Sequence, residues 1–154
     1  MSRRGETGTG AEKMYERLTW FIPAMEREDY GRWVRQHGDG SPGNPEVMPF
    51  VIYDWHVRRL EDAVLDFADD HREERVGQYD RILEKSGITW SMKSMKAADV
   101  SALDGRTVYA LLLGAFRAER FCDGAVLEFC ESGCMLRWLR RLKEIDELKI
   151  SCAG

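Results

Sequence analysis

The segment Thr107–Phe116 constrains the fold most strongly, because it is the longest run of the chain without a charged residue. It is far too short to cross a bilayer, which takes about 20 residues as a helix. Its apolar residues follow helical spacing and cover more than one face: Val108, Leu111, Leu112, Leu113, Ala115 and Phe116. A helix that is apolar on most sides has to be surrounded by other elements. We therefore predict a central core helix over residues 106–121.

Apolar residues recur at helical spacing in most of the remaining chain. The pattern predicts further helices over about 11–22, 24–35, 78–85, 124–132 and 135–149, and one that begins after Asp54. Residues 37–49 are rich in glycine and proline and predict an exposed loop. Residues 50–53 have the composition of a strand, but we expect them to lead into the next helix, with Asp54 as its N-cap.

A chain of 154 residues is the size of one domain. We predict an all-α fold, a single compact domain of about six or seven helices over residues 11–150, with the 106–121 helix at its centre. Residues 1–10 are rich in glycine, threonine and arginine and predict a disordered tail.

Composition and charge argue against several classes of protein. Hydrophobic residues make up 44% and charged residues 32% of the chain, which is the balance of a folded domain. The formal net charge is −4, so broad binding to nucleic acid or to an anionic membrane is disfavoured. The first residues lack an apolar stretch that could act as a secretory signal. We expect a cytoplasmic protein that does not bind the membrane.

The four cysteines, Cys122, Cys130, Cys134 and Cys152, do not form a recognisable metal or redox motif. No C-x-x-C pair is present, so the spacing of a zinc site or of a dithiol motif is missing. In a reducing cytoplasm we expect four free thiols and no disulfide. The sequence predicts no metal site and no cofactor.

The segment RAERFCDG, residues 117–124, carries charged residues directly out of the core helix. Glu119 lies three positions after Phe116, on the apolar side, and Arg117 and Arg120 lie near it at helical spacing. An isolated buried charge is costly, so we expect these groups to have partners. The segment is the first candidate for a functional site.

Three interpretations of this cluster are open. In the structural one, Glu119 accepts from an arginine or from backbone amides, and Arg117 or Arg120 binds carbonyl groups at a helix end. In the second, the two arginines bind a phosphate or carboxylate, which suits guanidinium geometry. In the third, Glu119 is a catalytic acid or base. The residues alone favour the structural interpretation.

The same segment resembles the C-terminal signature of a family of small bacterial proteins classed as a domain of unknown function. In that family a block R-x-[ED]-R-F-C-x-G precedes a helix, a glycine and a closing helix of the form L-x-R-L. Here RAERFCDG is followed by ESGC and then by LRRLKEI, and the similarity covers about residues 105–148. The resemblance implies an all-α fold and no established activity, so it assigns no functional residue.

Two further features are candidates of lower rank. His56, beside Trp55 near a predicted helix start, is the histidine best placed to line a cleft, although such a histidine is more often structural or exposed. The carboxylates within residues 66–74 have helical spacing, but no second set of cation ligands converges on them. We interpret the 66–74 run as a solvated helix face.

The last predicted helix is the one basic feature of the chain. Trp138 lies between Arg137 and Arg141 in an otherwise apolar stripe. If Trp138 is buried, the stripe is ordinary core, which is the favoured interpretation. If it is exposed, these three residues form a contact surface for a protein partner, or a stacking surface for nucleic acid.

We expect the protein to be a non-enzymatic interaction or regulatory module, because no catalytic signature is present. Its partner is another protein or a second copy of the chain, and nucleic acid is disfavoured by the charge. The alternative is a small enzyme or an anion-binding domain that uses Arg117, Glu119 and Arg120, with His56 as a further candidate. A third possibility is nucleic-acid binding through the closing helix.

Overall fold

The predicted core helix is present as α6, Gly105–Ala118, in the computed structural model. The structure describes residues 13–35, 38, 40–45 and 48–153, with the backbone alone over 150–153. Asp104 caps its start, because the carboxylate accepts a hydrogen bond from the Thr107 amide at 2.9 Å. Residues 107–116 are all buried. The helix ends three residues earlier than predicted, since the chain turns at residues 119–121.

The other helices pack around α6, which contacts α3, α4, α7 and α8. Their bounds are α1 Glu16–Thr19, α2 Ile22–Met25, α3 Trp55–Asp70, α4 Tyr79–Lys85, α5 Met92–Ala97, α7 Ala125–Glu131 and α8 Cys134–Ala153. Short 3-10 turns occur at Arg72–Glu74 and Val100–Ala102. The predicted mainly helical domain with a central apolar helix is therefore confirmed. None of the helices in the described part of the chain combines the length and apolar character that a bilayer crossing requires.

A two-stranded antiparallel hairpin corrects the predictions for residues 24–35, expected to be a helix, and for residues 50–53, expected to lead into the next helix. Strands β1, Gly31–Val34, and β2, Phe50–Tyr53, pair along their whole length, so the helix predicted over 24–35 ends at Met25. Glu28 has a φ of 60°, which is incompatible with a continuing right-handed helix. The apolar residues after it had been assigned to a helix, but in the fold they alternate between the two faces of a strand.

The hairpin packs one face against the start of α7. Trp33 and Val51 are paired in the register, as are Gly31 and Tyr53, so these four residues share that face. The indole ring of Trp33 occupies the space beside Gly124. The hairpin is thus attached to the segment that sequence analysis singled out.

Candidate functional site

Glu119 holds the turn between α6 and α7 through three hydrogen bonds. Its Oε1 accepts from the Tyr53 hydroxyl at 2.8 Å and from the Val126 amide at 2.9 Å, and its Oε2 accepts from the Gly124 amide at 2.9 Å. The Tyr53 hydroxyl in turn accepts from the Leu127 amide at 3.0 Å. These amides are among those that a helix start leaves without an internal partner. Of the partners expected for Glu119, the structure shows backbone amides, and a tyrosine in place of an arginine.

The environment of Tyr53 keeps its hydroxyl in the protonated, donating form. Burial raises the pKa of Tyr53, and the hydrogen bond to Glu119 raises it further. The unit formed by Tyr53 and Glu119 is therefore a fixed connection between the hairpin and the start of α7.

Arg117 and Arg120 lie on a different side of the turn, where they line an open groove of about 640 Å³. We call it the arginine groove; it runs between α3, the 3-10 turn after it and the end of α6. It is lined by Leu65, Asp66, Ala68, Asp69, Arg72, Arg75, Gly77, Gln78, Arg117 and Arg120. The structure thus brings the two predicted arginines together and separates them from Glu119, which is not part of this lining.

The arginine groove is lined by four guanidinium groups but only two carboxylates, those of Asp66 and Asp69. Arg72 forms an ion pair with Asp69, whereas Arg75, Arg117 and Arg120 make no side-chain hydrogen bond or ion pair with any described residue. The helix-end carbonyl partners predicted for Arg117 and Arg120 are therefore not found in the described residues. These arginines are left to bind water or an anionic ligand.

A second basic pocket, of about 420 Å³, adjoins the arginine groove and shares Arg75 and Gln78 with it. It adds Arg81, Lys85 and Arg106, and Asp104 is its one acidic lining residue. Together the two depressions hold seven basic side chains against three aspartates. This is a concentrated positive surface on a chain whose formal net charge is −4.

Tyr79 lies at the border of this surface, and the charges around it affect its pKa. Burial is the main factor that raises the pKa of Tyr79, and Asp80 adds to it, whereas the positive charges of Arg117 and Arg120 act in the opposite direction.

His56, predicted as a possible cleft residue, lies in the core and lines neither basic pocket. Its Nδ1 is 3.3 Å from Oδ2 of Asp54. Neither ring nitrogen makes a hydrogen bond within the described part of the chain. The side chain is buried in the first turn of α3, two residues after Asp54, so it is not available to a ligand.

Trp138, for which the core interpretation is favoured by the sequence, is fully buried and packs against Phe129 with ring centroids 5.3 Å apart. Arg137 donates to the carbonyl of Lys96 at 3.2 Å, and Arg141 donates to the carbonyl of Leu103 at 3.0 Å. Both arginines therefore satisfy carbonyl groups of neighbouring segments. Their role in the structure is to hold α8 against the end of α5 and against the residue that follows the 3-10 turn Val100–Ala102.

The described cysteines, Cys122, Cys130 and Cys134, are free thiols, and Cys152 lies outside the described side chains. Cys130 and Cys134 are buried, and burial raises the pKa of Cys130 to about 12. Cys122 is exposed in the turn of RAERFCDG. The solvent accessibility of the thiol thus differs sharply between Cys122 and the two cysteines that follow it, Cys130 and Cys134.

We expect N-ethylmaleimide to modify Cys122 in the native protein long before Cys130 or Cys134, because only an accessible thiolate reacts. Peptide mapping by mass spectrometry measures each site separately, and the denatured protein should contain four free thiols. A Cys122→Ser variant is the control. Equal rates at Cys122 and Cys130, or two thiols after denaturation, would contradict this prediction.

Sequence analysis missed Arg72 and Arg75, although they contribute half of the guanidinium groups in the arginine groove. Both lie at the end of the acidic run 66–74, which was interpreted as a solvated face. The sequence signal was the alternation of charge over residues 69–75, where two aspartates are followed by Arg72 and two glutamates by Arg75. Only the turn after α3 brings these arginines opposite the end of α6.

The fold and the groove together define a mainly helical domain with a concentrated arginine-lined surface. The family described as "Family of unknown function (DUF6508)" matches residues 11–147. The chain belongs to this family, and the match extends well beyond the segment on which the resemblance rested. No curated protein and no solved structure gives a significant match to the chain.

Proposed function

We propose that the protein is a non-enzymatic interaction or regulatory module of the bacterial cytoplasm, which recognises an anionic group of its partner in the arginine groove. One observation carries the proposal: Arg75, Arg117 and Arg120 surround one groove and have no side-chain partner among the described residues. Guanidinium groups bind carboxylates and phosphates through paired hydrogen bonds.

The other arginines near the groove support this assignment by contrast. Arg17 pairs with Asp70 at 2.8 Å, and Arg106 donates to the carbonyl of Glu74. These side chains stabilise the fold through contacts within the chain. Arg75, Arg117 and Arg120 make no such contact, so ligand binding by these three residues does not require an existing interaction to break.

The alternative functions have weaker support. Glu119 has both carboxylate oxygens occupied by hydrogen bonds and lies outside the groove lining, which disfavours its use as an acid or base. Nucleic-acid binding through α8 loses its stacking residue, because Trp138 is buried. Asp66 and Asp69 within the groove also oppose a continuous phosphate backbone.

We expect the protein to bind inorganic pyrophosphate or citrate, measured by isothermal titration calorimetry, and we expect Arg117→Gln with Arg120→Gln to weaken this binding by about tenfold or more. Each charged hydrogen bond contributes about 1.5–3 kcal/mol, and 1.4 kcal/mol corresponds to tenfold in affinity. Binding should also weaken as the salt concentration rises.

Arg58→Gln is the matched control, because Arg58 is exposed on α3 and lines none of the described pockets. It should leave affinity unchanged. Thermal denaturation of the double variant should show a stability within about 1 kcal/mol of the parent, as for other surface substitutions. Equal binding by the parent and the double variant, or no binding of either anion, would refute the proposal.

A further inference from the structure

The turn that carries Arg117 and Arg120 also forms the wall of a second, apolar groove of about 310 Å³. We call it the apolar groove; its lining is Trp90, Ser91, Met92, Met95, Ala118, Phe121, Cys122, Ala125 and Phe129. No charged side chain belongs to this lining. Residues 117–122 are thus a ridge with guanidinium groups on one side and an apolar depression on the other.

Phe121 is the most exposed aromatic residue in the described chain, with 77% of its surface accessible. Its ring packs edge-on against Trp90 at a centroid distance of 5.7 Å, and so it forms one rim of the apolar groove. Methionine side chains at the groove adapt easily to different apolar ligands. An exposed phenylalanine beside an apolar depression is typical of a binding surface.

Contacts within the chain hold Trp90, which forms one wall of the apolar groove, in position. The indole Nε1 of Trp90 donates to the carbonyl of Gly114 in α6 at 2.9 Å. Trp90 also packs edge-on against Tyr79 at 5.2 Å. A row of aromatic rings therefore runs from Phe121 through Trp90 to Tyr79. Arg117 and Arg120 line the arginine groove, and Ala118, Phe121 and Cys122 line the apolar groove, so the two grooves adjoin along residues 117–122.

We infer that this surface binds an acidic peptide segment of a partner protein, with its carboxylates on Arg117 and Arg120 and a large apolar side chain in the apolar groove. The inference rests on the proposed function, since it assigns the class of partner to the same site. Arg117 lies at the end of α6, and Arg120 and Phe121 are consecutive residues in the turn that follows it. An extended peptide advances about 3.3 Å per residue, so the acidic residue and the apolar anchor should be two to four positions apart.

The dimensions and charges favour a peptide over other anionic amphiphiles. A volume of about 310 Å³ accommodates one large side chain with some adjacent backbone. Asp66 and Asp69 interrupt the positive charge of the arginine groove, which suits a short segment with localised carboxylates better than a polyanion.

The test uses fluorescein-labelled octapeptides in three matched forms. One form has two aspartates with a phenylalanine two, three or four positions away, the second has alanine in place of phenylalanine, and the third has asparagines in place of the aspartates. Fluorescence anisotropy measures affinity for the full chain. Protection of Cys122 from N-ethylmaleimide reports occupancy of the apolar groove, because that thiol is part of its lining.

We expect the complete peptide to bind best, to protect Cys122, and to lose about tenfold in affinity when its phenylalanine is replaced by alanine, as burial of one large apolar side chain implies. Phe121→Ser should cause a similar loss. Leu148→Ser, at another exposed apolar residue, is the matched control and should have no effect. Asparagine-containing peptides should bind weakly to every variant.

The outcomes separate this inference from the proposed function. If acidic peptides or pyrophosphate bind through the arginines, while Phe121→Ser and the alanine peptide change nothing, the apolar half of the inference is wrong and the anion site stands. If pyrophosphate binds and no peptide does, the peptide assignment is wrong. Stronger binding to vesicles of phosphatidylserine or to an oligonucleotide would overturn it in the same way. If neither pyrophosphate nor any peptide binds, both proposals are refuted.

Discussion

Replacing Glu119 by alanine is expected to lower the free energy of unfolding by about 2–4 kcal/mol. The carboxylate accepts hydrogen bonds from the amides of Gly124 and Val126 and from the hydroxyl of Tyr53. Alanine leaves these donors without a partner in a partly buried turn, and each buried unsatisfied donor costs about 1–3 kcal/mol. Urea denaturation followed by circular dichroism measures the change.

Two conservative variants test the cause of this loss. Glu119→Gln keeps the shape but presents an amide donor to one of the amides, so it should cost about half as much. Tyr53→Phe should be destabilising alone and should add less than its own cost to Glu119→Ala, since the two groups share a hydrogen bond. Arg120→Ala is the control and should be nearly neutral, because Arg120 is exposed. A larger loss for Arg120→Ala than for Glu119→Ala would contradict the assignment.

The core helix could be predicted from the sequence because burial on all sides leaves a local signal. A run without charges such as Thr107–Phe116 has few alternatives to a buried helix, and its start is encoded by Asp104. The need of Glu119 for hydrogen-bond partners was also predictable, since a carboxylate on an apolar face cannot remain unsatisfied. Which groups satisfy it was not, because Tyr53 is 66 residues away in the chain.

The hairpin could not be predicted from the residues, because its stability comes from contacts made outside it. Two four-residue strands are marginal alone, and these are held by Trp33 against Gly124 and by Tyr53 against Glu119. The spacing of apolar residues in 24–35 fits a helix and a strand about equally well. Long-range packing decided between them.

The residues of the candidate site also differ in how far their positions can be predicted from the sequence. Arg117, at the end of α6, and Arg120, in the turn directly after it, are three positions apart, so their proximity follows from the sequence alone. Arg72 and Arg75 join them only through the turn after α3, in which Arg75 adopts a left-handed conformation with φ of 57°. Trp138 and His56 were ambiguous between core and surface, and burial in the folded domain assigns both to the core.

A large effect of a single added methyl group is expected at Gly124, the last residue of RAERFCDG. Its backbone has a φ of 89°, a conformation that costs an L-residue about 1–2 kcal/mol. In addition, a Cβ at this position would overlap the indole ring of Trp33, which also contacts the rest of the hairpin. We expect Gly124→Ala to lower the free energy of unfolding by about 2–4 kcal/mol in total.

Gly133→Ala separates the two contributions to that loss. Gly133 has nearly the same φ, 86°, but a Cβ there would meet open space, so only the conformational cost of about 1 kcal/mol applies. Combining Gly124→Ala with Trp33→Ala should remove the overlap, so the double variant should be more stable than the sum of the single changes indicates. Urea denaturation of the four variants gives the comparison. If Gly124→Ala and Gly133→Ala cost the same, Trp33 does not constrain Gly124, and the hairpin does not hold the turn that separates the arginines from Phe121.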